Sequence, residues 1–287
     1  MSVTLRVPAS SANIGPGFDT LGMAISQYLD FTFDAVLVSP DGPNSAIDKC
    51  HEGSNEPTDE HHLAVRTFRA AGGTGAAKVK ATFPGGRGLG FSGSARVAGV
   101  AAAALQRGEP LHQALMTALK IAGDLEGHRD NVAASVYGGV VAAAGNTVVK
   151  IPLGFNPAIV LWIPATETST KQSRTSLPDR VNFEDAIFNV GRAATLVAAF
   201  AAGDAAALRV ACEDRLHQSQ RFAQTPESEA AYHSLLRAGA WCAWLSGSGP
   251  SVAALCAPDA VDAMITALPS TGRSVRATID TEGTRRL

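Results

Sequence analysis

The stretch PGGRGLGFSGSAR, residues 84–96, follows a strand-like segment from Ala77 to Phe83 and precedes an alanine-rich, helix-like segment from Val97 to Leu105. The order is strand, glycine loop and helix. Glycines let a ligand approach the backbone closely, and the first amides of a helix lack partners within the helix, where the dipole also favours an anion. The loop therefore predicts a phosphate site, and a plain turn that joins strand to helix is the alternative.

Two better-known phosphate-binding motifs do not fit this loop. Gly88 to Gly93 satisfies GxGxxG, and Glu109 lies about where a dinucleotide-binding fold places its ribose-binding acid. Glu109, however, falls in a predicted turn between two helices, because residues 110–121 read as helix where a second strand is required. The Walker pattern GxxxxGK[ST] fails as well, since no lysine follows the final glycine.

Apolar periodicity elsewhere predicts mixed structure of the α/β or α+β type. Strands are predicted over residues 3–7, 29–38, 77–83, 141–149, 158–163, 240–244 and 251–256. Helices are predicted over residues 62–71, 97–105, 110–121, 183–201 and 205–217, with another after the segment 123–131. Residues 21–26 fit a helix or a strand, and residues 41–60 predict a surface excursion. We place a domain boundary near residue 155, between segments 1–155 and 156–287.

The composition is typical of a folded enzyme. The 287 residues carry a formal net charge of -2, with 46% hydrophobic and 17% charged residues. No basic run or basic-aromatic stripe is present, which argues against nucleic-acid binding. The first residues show no basic segment followed by an apolar one, and no apolar run reaches membrane-spanning length, so we expect a cytoplasmic location without a membrane partner. The four cysteines are widely spaced and predict reduced thiols, not a zinc site or a redox pair.

Four segments taken together resemble the GHMP kinase superfamily, and the likeness runs nearly the length of the chain. They are VPASSANIGPGFDTLG (7–22), PGGRGLGFSGSA (84–95), LEGHRDNVAASVYGG (125–139) and LSGSGPSV (245–252). They resemble, in that order, the substrate loop, the nucleotide loop, the central motif and the carboxy-terminal glycine motif of the superfamily. Three further segments resemble more particularly its homoserine kinase family: STKQSRTSLP (169–178), FNVGRAATLV (188–197) and EDRLHQSQR (213–221).

The resemblance implies a two-domain α+β fold, with a ribosomal-protein-like N-terminal ATP-binding domain and a ferredoxin-like C-terminal domain. It also implies that ATP, with Mg²⁺, and the substrate bind between these domains. The implied reaction is transfer of the γ-phosphate to the side-chain hydroxyl of L-homoserine, a step toward threonine. A homodimer is the assembly that the family suggests.

Five polar residues are candidates for the acceptor site. Asn13 and Asp19 flank a glycine-pinned loop, where a carboxylate could pair with a substrate ammonium and an amide could both donate and accept; loop capping is the alternative. The guanidinium groups of Arg174 and Arg221 suit a substrate carboxylate, although exposed arginines are common. By resemblance both arginines hold the carboxylate of the amino acid, with Thr170 nearby.

The turn that follows Glu126 contains three more polar residues. His128, Asp130 and Asn131 could face a reacting hydroxyl or cap the next helix, and capping is the role we favour for Asp130. By resemblance His128 and Asn131 line the homoserine site. Related kinases use an aspartate base, but the matching residue here is Asn131, which cannot accept a proton in that way. By resemblance we expect transfer without a dedicated base, with Ser92, His128 and Asn131 as the catalytic residues.

The nucleotide loop departs from the family pattern at one position. That pattern usually reads GLGSSAA, and Phe91 stands where a serine is common, which predicts weaker ATP use unless Ser94 supplies the missing hydroxyl. By resemblance the metal ligands are Ser92 and Glu126, although Asp124 offers a second carboxylate. The residues expected to bind the nucleotide are Pro84, Arg87, Gly88, Leu89, Gly90, Phe91, Ser92, Gly93 and Ser94.

The sequence leaves two other functions open. One is a GHMP-type kinase for another small alcohol, against which Arg174 and Arg221 argue because they suit a free carboxylate. The other is a non-catalytic nucleotide-binding homologue in which Phe91 has impaired the loop. His217, within a predicted helix, is interpreted as a structural histidine.

Overall fold

A computed structural model describes residues 2–34 and 60–287 of the chain. Apart from Glu60, the predicted surface excursion of residues 41–60 lies outside these ranges, as does Cys50. The described residues form two antiparallel sheets combined with helices, which confirms the predicted α+β class.

The elements alternate irregularly between strand and helix along the chain. The strands are β1 (Ser2–Ala12), β2 (Leu21–Asp34), β3 (Ala77–Ala81), β4 (Val140–Ala144), β5 (Thr147–Ile151), β6 (Ala158–Pro164), β7 (Cys242–Leu245), β8 (Val252–Cys256), β9 (Gly272–Ala277) and β10 (Arg285–Arg286). The helices are α1 (Leu63–Ala70), α2 (Phe91–Gln106), α3 (Leu111–Glu126), α4 (Asp130–Tyr137), α5 (Thr170–Thr175), α6 (Phe183–Ala202), α7 (Leu208–Ala211), α8 (Gln218–Phe222), α9 (Pro226–Arg237) and α10 (Val261–Ala267).

The first sheet supports the glycine loop. Its strands are ordered β10-β1-β2-β4-β5, and β3 also pairs with β2. Residues 21–26, which fitted either a helix or a strand, are extended in β2. Helices α2 and α4 pack on β1 and β2, and α1 packs on α2 at Gly99, where an added Cβ would lie 2.5 Å from the carbonyl oxygen of Ala64. The small residues of α2 therefore allow these helices to approach closely.

The second sheet, ordered β7-β8-β6-β9, separates two apolar cores. Successive side chains of a strand point to opposite faces, and β6 shows the consequence. Ile159, Leu161 and Ile163 belong to the main core shared with the first sheet, whereas Val160 and Trp162 belong to a smaller core with residues of α9 and α10. Helices α9 and α10 pack on the face of this sheet that carries the smaller core, and the strand order β7-β8-β6-β9 matches the ferredoxin-like arrangement expected of the C-terminal domain.

The predicted boundary near residue 155 falls between β5 and β6, where the chain leaves the first sheet and enters the second. The short strand β10 then returns to the first sheet, where Arg286 pairs with Leu5 of β1. The last residues of the chain therefore contribute to the sheet of the N-terminal domain.

The single strand predicted over residues 141–149 is wrong, because the structure has a hairpin of β4 and β5 there. Gly145 has a positive φ of 57°, which lets the chain reverse between Ala144 and Thr147. A two-residue turn of this kind favours glycine, since a side chain disfavours a positive φ.

The continuous helix predicted over residues 205–217 is also wrong. The segment contains only the short helix α7, and α8 begins afterwards at Gln218. The carboxylate of Asp214 interrupts the helix by accepting hydrogen bonds from the backbone amides of Leu216, His217 and Gln218. Asp214 therefore caps the next helix instead of continuing the previous one.

Candidate active site

A cavity of about 530 Å³ lies where the glycine loop meets the loop between β1 and β2, the turn before α4, and segments of the C-terminal domain. The predicted site residues that line it are Asn13, Asp19, Gly88, Gly90, Phe91, Ser92, Glu126, His128, Asn131, Arg174 and Arg221. Residues that are distant in the sequence therefore share one space that could hold a phosphate donor and an acceptor.

The glycine loop is pressed against neighbouring chain segments. An added Cβ at Gly88 (φ 73°) would lie 2.1 Å from the carbonyl oxygen of Ser246, and one at Gly90 (φ 66°) would lie 2.0 Å from the Oγ of Ser10. Gly90 immediately precedes α2, whose first amides have no partner within the helix, and Ser92 on the first turn lines the cavity. The loop therefore offers backbone and hydroxyl donors that suit phosphate.

Phe91 packs into the main core at the wall of the cavity. It is 8% exposed, and its ring centroid lies 5.6 Å from that of Phe83 and 5.7 Å from that of His62. The phenyl group of Phe91 is thus packed against two other rings, and the neighbouring residue Ser92 lines the cavity. Nothing in this packing favours the interpretation that Phe91 has inactivated the loop.

We expect the substitution Phe91→Ser to lower stability more than it improves nucleotide affinity. Removing a buried phenyl group costs about 3–5 kcal/mol of unfolding free energy, while the backbone amides of the loop are unchanged. Urea unfolding and the KM for ATP would be measured together, with Phe91→Leu as the control that keeps an apolar side chain. A much lower KM for ATP at unchanged stability would show instead that the ring obstructs the phosphate site.

Three predicted nucleotide-binding residues of the loop, Leu89, Gly93 and Ser94, do not line the cavity. Ser94 is fully buried, and its Oγ donates to the carbonyl oxygen of Phe91 at 3.0 Å, so it does not replace the missing hydroxyl. Leu89 is part of the main core, and an added Cβ at Gly93 would contact Asn131. Contacts of these three residues with a nucleotide would have to come from their backbone.

Arg87 clamps the glycine loop to the segment that follows β6. Its guanidinium donates to the carbonyl oxygens of Gly85, Pro164 and Ala165 and to the Oε1 of Glu167, at distances between 2.7 and 3.2 Å. The nucleotide contact predicted for Arg87 would require some of these bonds to break if it involves the guanidinium. Arg87 and Pro84, another predicted nucleotide residue, line a separate cavity of about 440 Å³.

The acceptor loop between β1 and β2 has a constrained backbone. Asn13, Ile14 and Asp19 have positive φ values of 71°, 47° and 54°, which are uncommon for residues with side chains. Asn13 stabilises this shape, because its Nδ2 donates to the carbonyl oxygen of Gly247 and its Oδ1 accepts from the backbone amide of Asp19. Asn13 thus performs the capping role that was the alternative interpretation, while it also lines the cavity.

Asp19 and Arg174 form a bidentate ion pair at the cavity. Both hydrogen bonds between the guanidinium and the carboxylate are 2.8 Å long, and this hydrogen bonding raises the pKa of Arg174. The side chains are 32% and 43% exposed, so the pair is accessible to solvent and to a ligand. Arg174 belongs to α5, which begins at Thr170; the side chain of Thr170 is outside the described residues.

Arg221 lies deeper than Arg174 and is only 4% exposed. Burial, together with the charge of Arg174, lowers its pKa to about 10. Its NH1 donates to the carbonyl oxygen of Gly247, while its Nε is buried without a hydrogen-bond partner. Its guanidinium carbon lies 5.2 Å from the ring centroid of Phe18, a residue that the sequence analysis did not single out. The only signal for Phe18 was its position inside the acceptor loop.

The turn before α4 combines both roles that the sequence left open. Asp130 is 1% exposed, and its Oδ1 lies 2.7 Å from the Nδ1 of His128 and accepts from the backbone amide of Asn131. Burial is the largest single influence and lowers the pKa of His128, but the hydrogen bond with Asp130 and the negative charges of Asp130, Asp19 and Glu126 together outweigh it, so the pKa is raised. Asn131 Oδ1 accepts from the Oγ of Ser10, which orients its amide. Asp130, the first residue of α4, therefore satisfies the backbone amide of Asn131 and also holds His128 at the cavity.

Glu126 is better placed than Asp124 to bind a metal ion. Glu126 lines the cavity together with Ser92, and its carboxylate accepts from Arg96, which lies one helical turn after Ser92 on α2. Asp124 is 51% exposed in its side chain and pairs with other charged side chains on the surface. A hydroxyl and a carboxylate oxygen at one cavity fit the preference of Mg²⁺ for few protein oxygens.

Two family models match this chain. The model described as the GHMP kinases N terminal domain matches residues 61–139, and the model described as GHMP kinases C terminal matches residues 196–274. The fold, the glycine loop and these matches define the protein as a GHMP kinase.

Curated relatives and solved structures narrow the class further. The chain is 39% identical to the homoserine kinase of Gloeobacter violaceus, over 93% of this chain and 92% of that protein. It is 40% identical to the homoserine kinase of Leifsonia xyli, over 89% of this chain and 81% of that protein. The crystal structure of homoserine kinase from Cytophaga hutchinsonii superposes with a TM-score of 0.79 at 25% identity, covering 100% of this chain and 97% of that one. The chain belongs to the homoserine kinase family.

Proposed function

We propose that this kinase transfers the γ-phosphate of ATP to the side-chain hydroxyl of L-homoserine and forms O-phospho-L-homoserine, on the route to threonine. The observation that carries this proposal is a single cavity lined by Ser92 at the start of α2 and by the charged residues Asp19, Arg174 and Arg221. The glycine loop suits the phosphates of ATP, and the three charged groups suit the two charges of a free amino acid.

The acceptor site has groups for both charges of L-homoserine. The carboxylate would be held by Arg221, whose Nε is buried without a hydrogen-bond partner, and by Arg174. An oxygen of Asp19 and an oxygen of Asp130 lie within 4.8 Å of each other and would attract the ammonium group. Binding would therefore separate Arg174 from Asp19. The substrate carboxylate would take the place of Asp19 beside Arg174, and the substrate ammonium would take the place of Arg174 beside Asp19.

The donor site would hold the phosphates of ATP on the first amides of α2 and on the hydroxyl of Ser92. Ser92 and Glu126 are the residues that would hold Mg²⁺, which supplies neutralisation of the phosphate charge when it is bound. Arg96 keeps the carboxylate of Glu126 in place at the wall of the cavity.

We propose that the acceptor hydroxyl is positioned and not deprotonated by a dedicated base. Asn131 carries an amide that cannot take a proton, and its orientation is fixed by Ser10. His128 and Asn131 would hold the hydroxyl near the γ-phosphate, and the amides of α2 and Ser92 would stabilise the charge that develops on transfer. The proton would end on the phosphate or in solvent.

Turnover with a panel of acceptors tests the substrate directly. With Mg²⁺ and ATP present, we expect phosphorylation of L-homoserine to exceed that of threonine, mevalonate and galactose, because the last two lack the ammonium and carboxylate pair. Faster turnover of mevalonate or galactose would contradict the amino-acid assignment, and no turnover of any acceptor would favour a nucleotide-binding homologue.

We also propose that the protein is a cytoplasmic homodimer and that the exposed face of α6 contributes to the dimer interface. Phe183, Ile187 and Val190 follow one helical face and are 80%, 57% and 71% exposed. Within the described part of the chain, α6 is the one helix long and apolar enough to span a membrane. The opposite face of α6 includes Leu196 and Phe200, which are buried in the main core. This packing supports a helix that belongs to a folded domain over one that spans a membrane.

Charged substitutions on α6 test this interface. We expect the double substitution Ile187→Glu and Val190→Glu to convert a dimer into a monomer, because an exposed carboxylate would have to be buried at the contact. Light scattering after gel filtration measures the mass, and Thr195→Glu, an exposed position on the same helix, is the comparison. An unchanged dimer in the double variant would exclude this face from the interface.

A further inference from the structure

His217 is completely buried and contacts two parts of the acceptor site at once. Its Nδ1 lies 3.2 Å from the NH1 of Arg221, and its Nε2 lies 2.9 Å from the carbonyl oxygen of Gly15 in the acceptor loop. A guanidinium can only donate and a carbonyl oxygen can only accept. His217 must therefore accept at Nδ1 and donate at Nε2, which makes it the neutral Nε2–H tautomer.

The surroundings of His217 keep it neutral and fixed. Burial lowers the pKa of His217, although the carboxylate of Asp214 lies 3.8 Å from its Nε2. That carboxylate accepts from the side-chain amide of Asn189 and from three backbone amides, including that of His217. Asp214 thus holds the backbone of His217 at the start of α8, one helical turn before Arg221.

Phe18 connects the same residues through its ring. The ring centroids of Phe18 and His217 lie 5.0 Å apart with an interplanar angle of 27°, and the guanidinium carbon of Arg221 lies 5.2 Å from the Phe18 centroid. Phe18 directly precedes Asp19. The carbonyl oxygen of Gly247 accepts from both Asn13 and Arg221. The acceptor loop and Arg221 are therefore joined by two sets of contacts, at His217 with Phe18 and at Gly247.

We propose that His217 is a positioning residue for the acceptor: it fixes the guanidinium of Arg221 and the acceptor loop in one arrangement before the substrate binds. The inference rests on the proposed function, in which Arg221 holds the acceptor's carboxylate. His217 does not line the cavity and touches no reacting group; it acts through Arg221 and Gly15. Its effect belongs to acceptor binding and not to the transfer step, because a preorganised site loses less conformational freedom on binding.

The experiment compares His217→Phe, which keeps a ring against Phe18 but loses both hydrogen bonds, with His217→Asn, whose Oδ1 can replace Nδ1 as the acceptor for Arg221. We expect His217→Phe to raise the KM for L-homoserine by about 10- to 100-fold, the range found for residues that orient metal ligands, while kcat and the KM for ATP stay near wild type. His217→Asn should recover most of the loss. Calorimetric titration with L-homoserine measures acceptor binding without turnover.

Introducing His217→Phe into an Arg221→Ala background identifies the route of the effect. If His217 acts mainly through Arg221, the second substitution adds little to the first, since contacting residues are not additive. Full additivity in the double variant, or a wild-type KM in a folded His217→Phe, would overturn the inference. Either outcome would refute only the role of His217. The proposed function would still be supported if Arg221→Ala alone weakens L-homoserine binding. Failure of wild-type protein to phosphorylate L-homoserine would instead refute the proposed function itself.

Should His217→Phe not fold, His217→Asn still decides the question. Its Arg221 contact can persist while its contact with Gly15 is lost, so we expect it to bind L-homoserine more tightly than His217→Ala does. Equal affinities in these two variants, with thermal unfolding confirming that both are folded, would contradict a positioning role through Arg221.

Discussion

Replacing Arg221 by alanine should raise the KM for L-homoserine by roughly 30-fold to several thousand-fold. Truncating one partner of a buried charge pair costs about 2–5 kcal/mol, and each 1.4 kcal/mol corresponds to about tenfold. Arg221 meets the condition because it is 4% exposed and the carboxylate of the acceptor would be buried against it. Steady-state kinetics with L-homoserine and with ATP as the varied substrate measures the effect.

The controls separate this loss of binding from damage to the fold. Burial lowers the pKa of Arg221 to about 10, which is still well above neutral, so the group is charged at a cost to the folded state. We therefore expect Arg221→Met, which keeps much of the apolar stem, to lose L-homoserine binding without a large fall in thermal stability. Arg215→Ala, in the same segment but 52% exposed, should leave the kinetics unchanged. Wild-type kinetics in Arg221→Ala would contradict the proposal that Arg221 binds the carboxylate of the acceptor.

The second large effect is expected at Glu126. The substitution Glu126→Gln should lower kcat/KM by at least about 100-fold at limiting Mg²⁺, because even residues that only orient a metal ligand contribute 10- to 100-fold. Glutamine keeps an oxygen that can accept from Arg96, so this arginine retains a partner, while the negative charge is lost. The same variant should bind Mn²⁺ more weakly in the presence of a non-hydrolysable ATP analogue, which electron paramagnetic resonance can measure.

Asp124→Asn is the matched control for Glu126→Gln. It removes the same charge two residues away, but from a surface carboxylate that pairs with Lys120 and Arg129. We expect metal affinity and turnover close to wild type in this variant. A larger loss of Mn²⁺ affinity in Asp124→Asn than in Glu126→Gln would reverse the assignment of the metal ligand.

Much of the site was predictable because its residues occur in short, distinctive segments. The glycine loop before α2, the loop with Asn13 and Asp19, and the turn with His128 and Asn131 each combine local backbone requirements with polar side chains. Such local requirements are visible in a sequence, since a positive φ or a close backbone approach restricts the residue type. The two arginines were found by resemblance, because an isolated arginine carries no local signal.

Contacts between side chains and distant parts of the chain could not be predicted from local pattern. Arg87 was expected to bind the nucleotide, and in the structure its guanidinium donates to residues 164–167, more than seventy positions later. The helix predicted over 205–217 had suitable apolar spacing, yet Asp214 interrupts it, and that carboxylate also accepts from Asn189 of α6. The choice between Glu126 and Asp124 likewise depended on which carboxylate the end of α3 turns toward the cavity.

By itself the sequence predicted mixed helix and strand structure and a glycine loop at the start of α2, because these depend on local pattern. The α+β class and the kinase family were indicated by resemblance, through segments that keep their order along the chain. The tertiary structure decided which charged groups are buried together. Arg221 is a buried cation beside Phe18 and His217 because α8 packs against the acceptor loop. Burial and partner geometry set the properties of a charged group, and both are created by contacts between residues far apart in the chain.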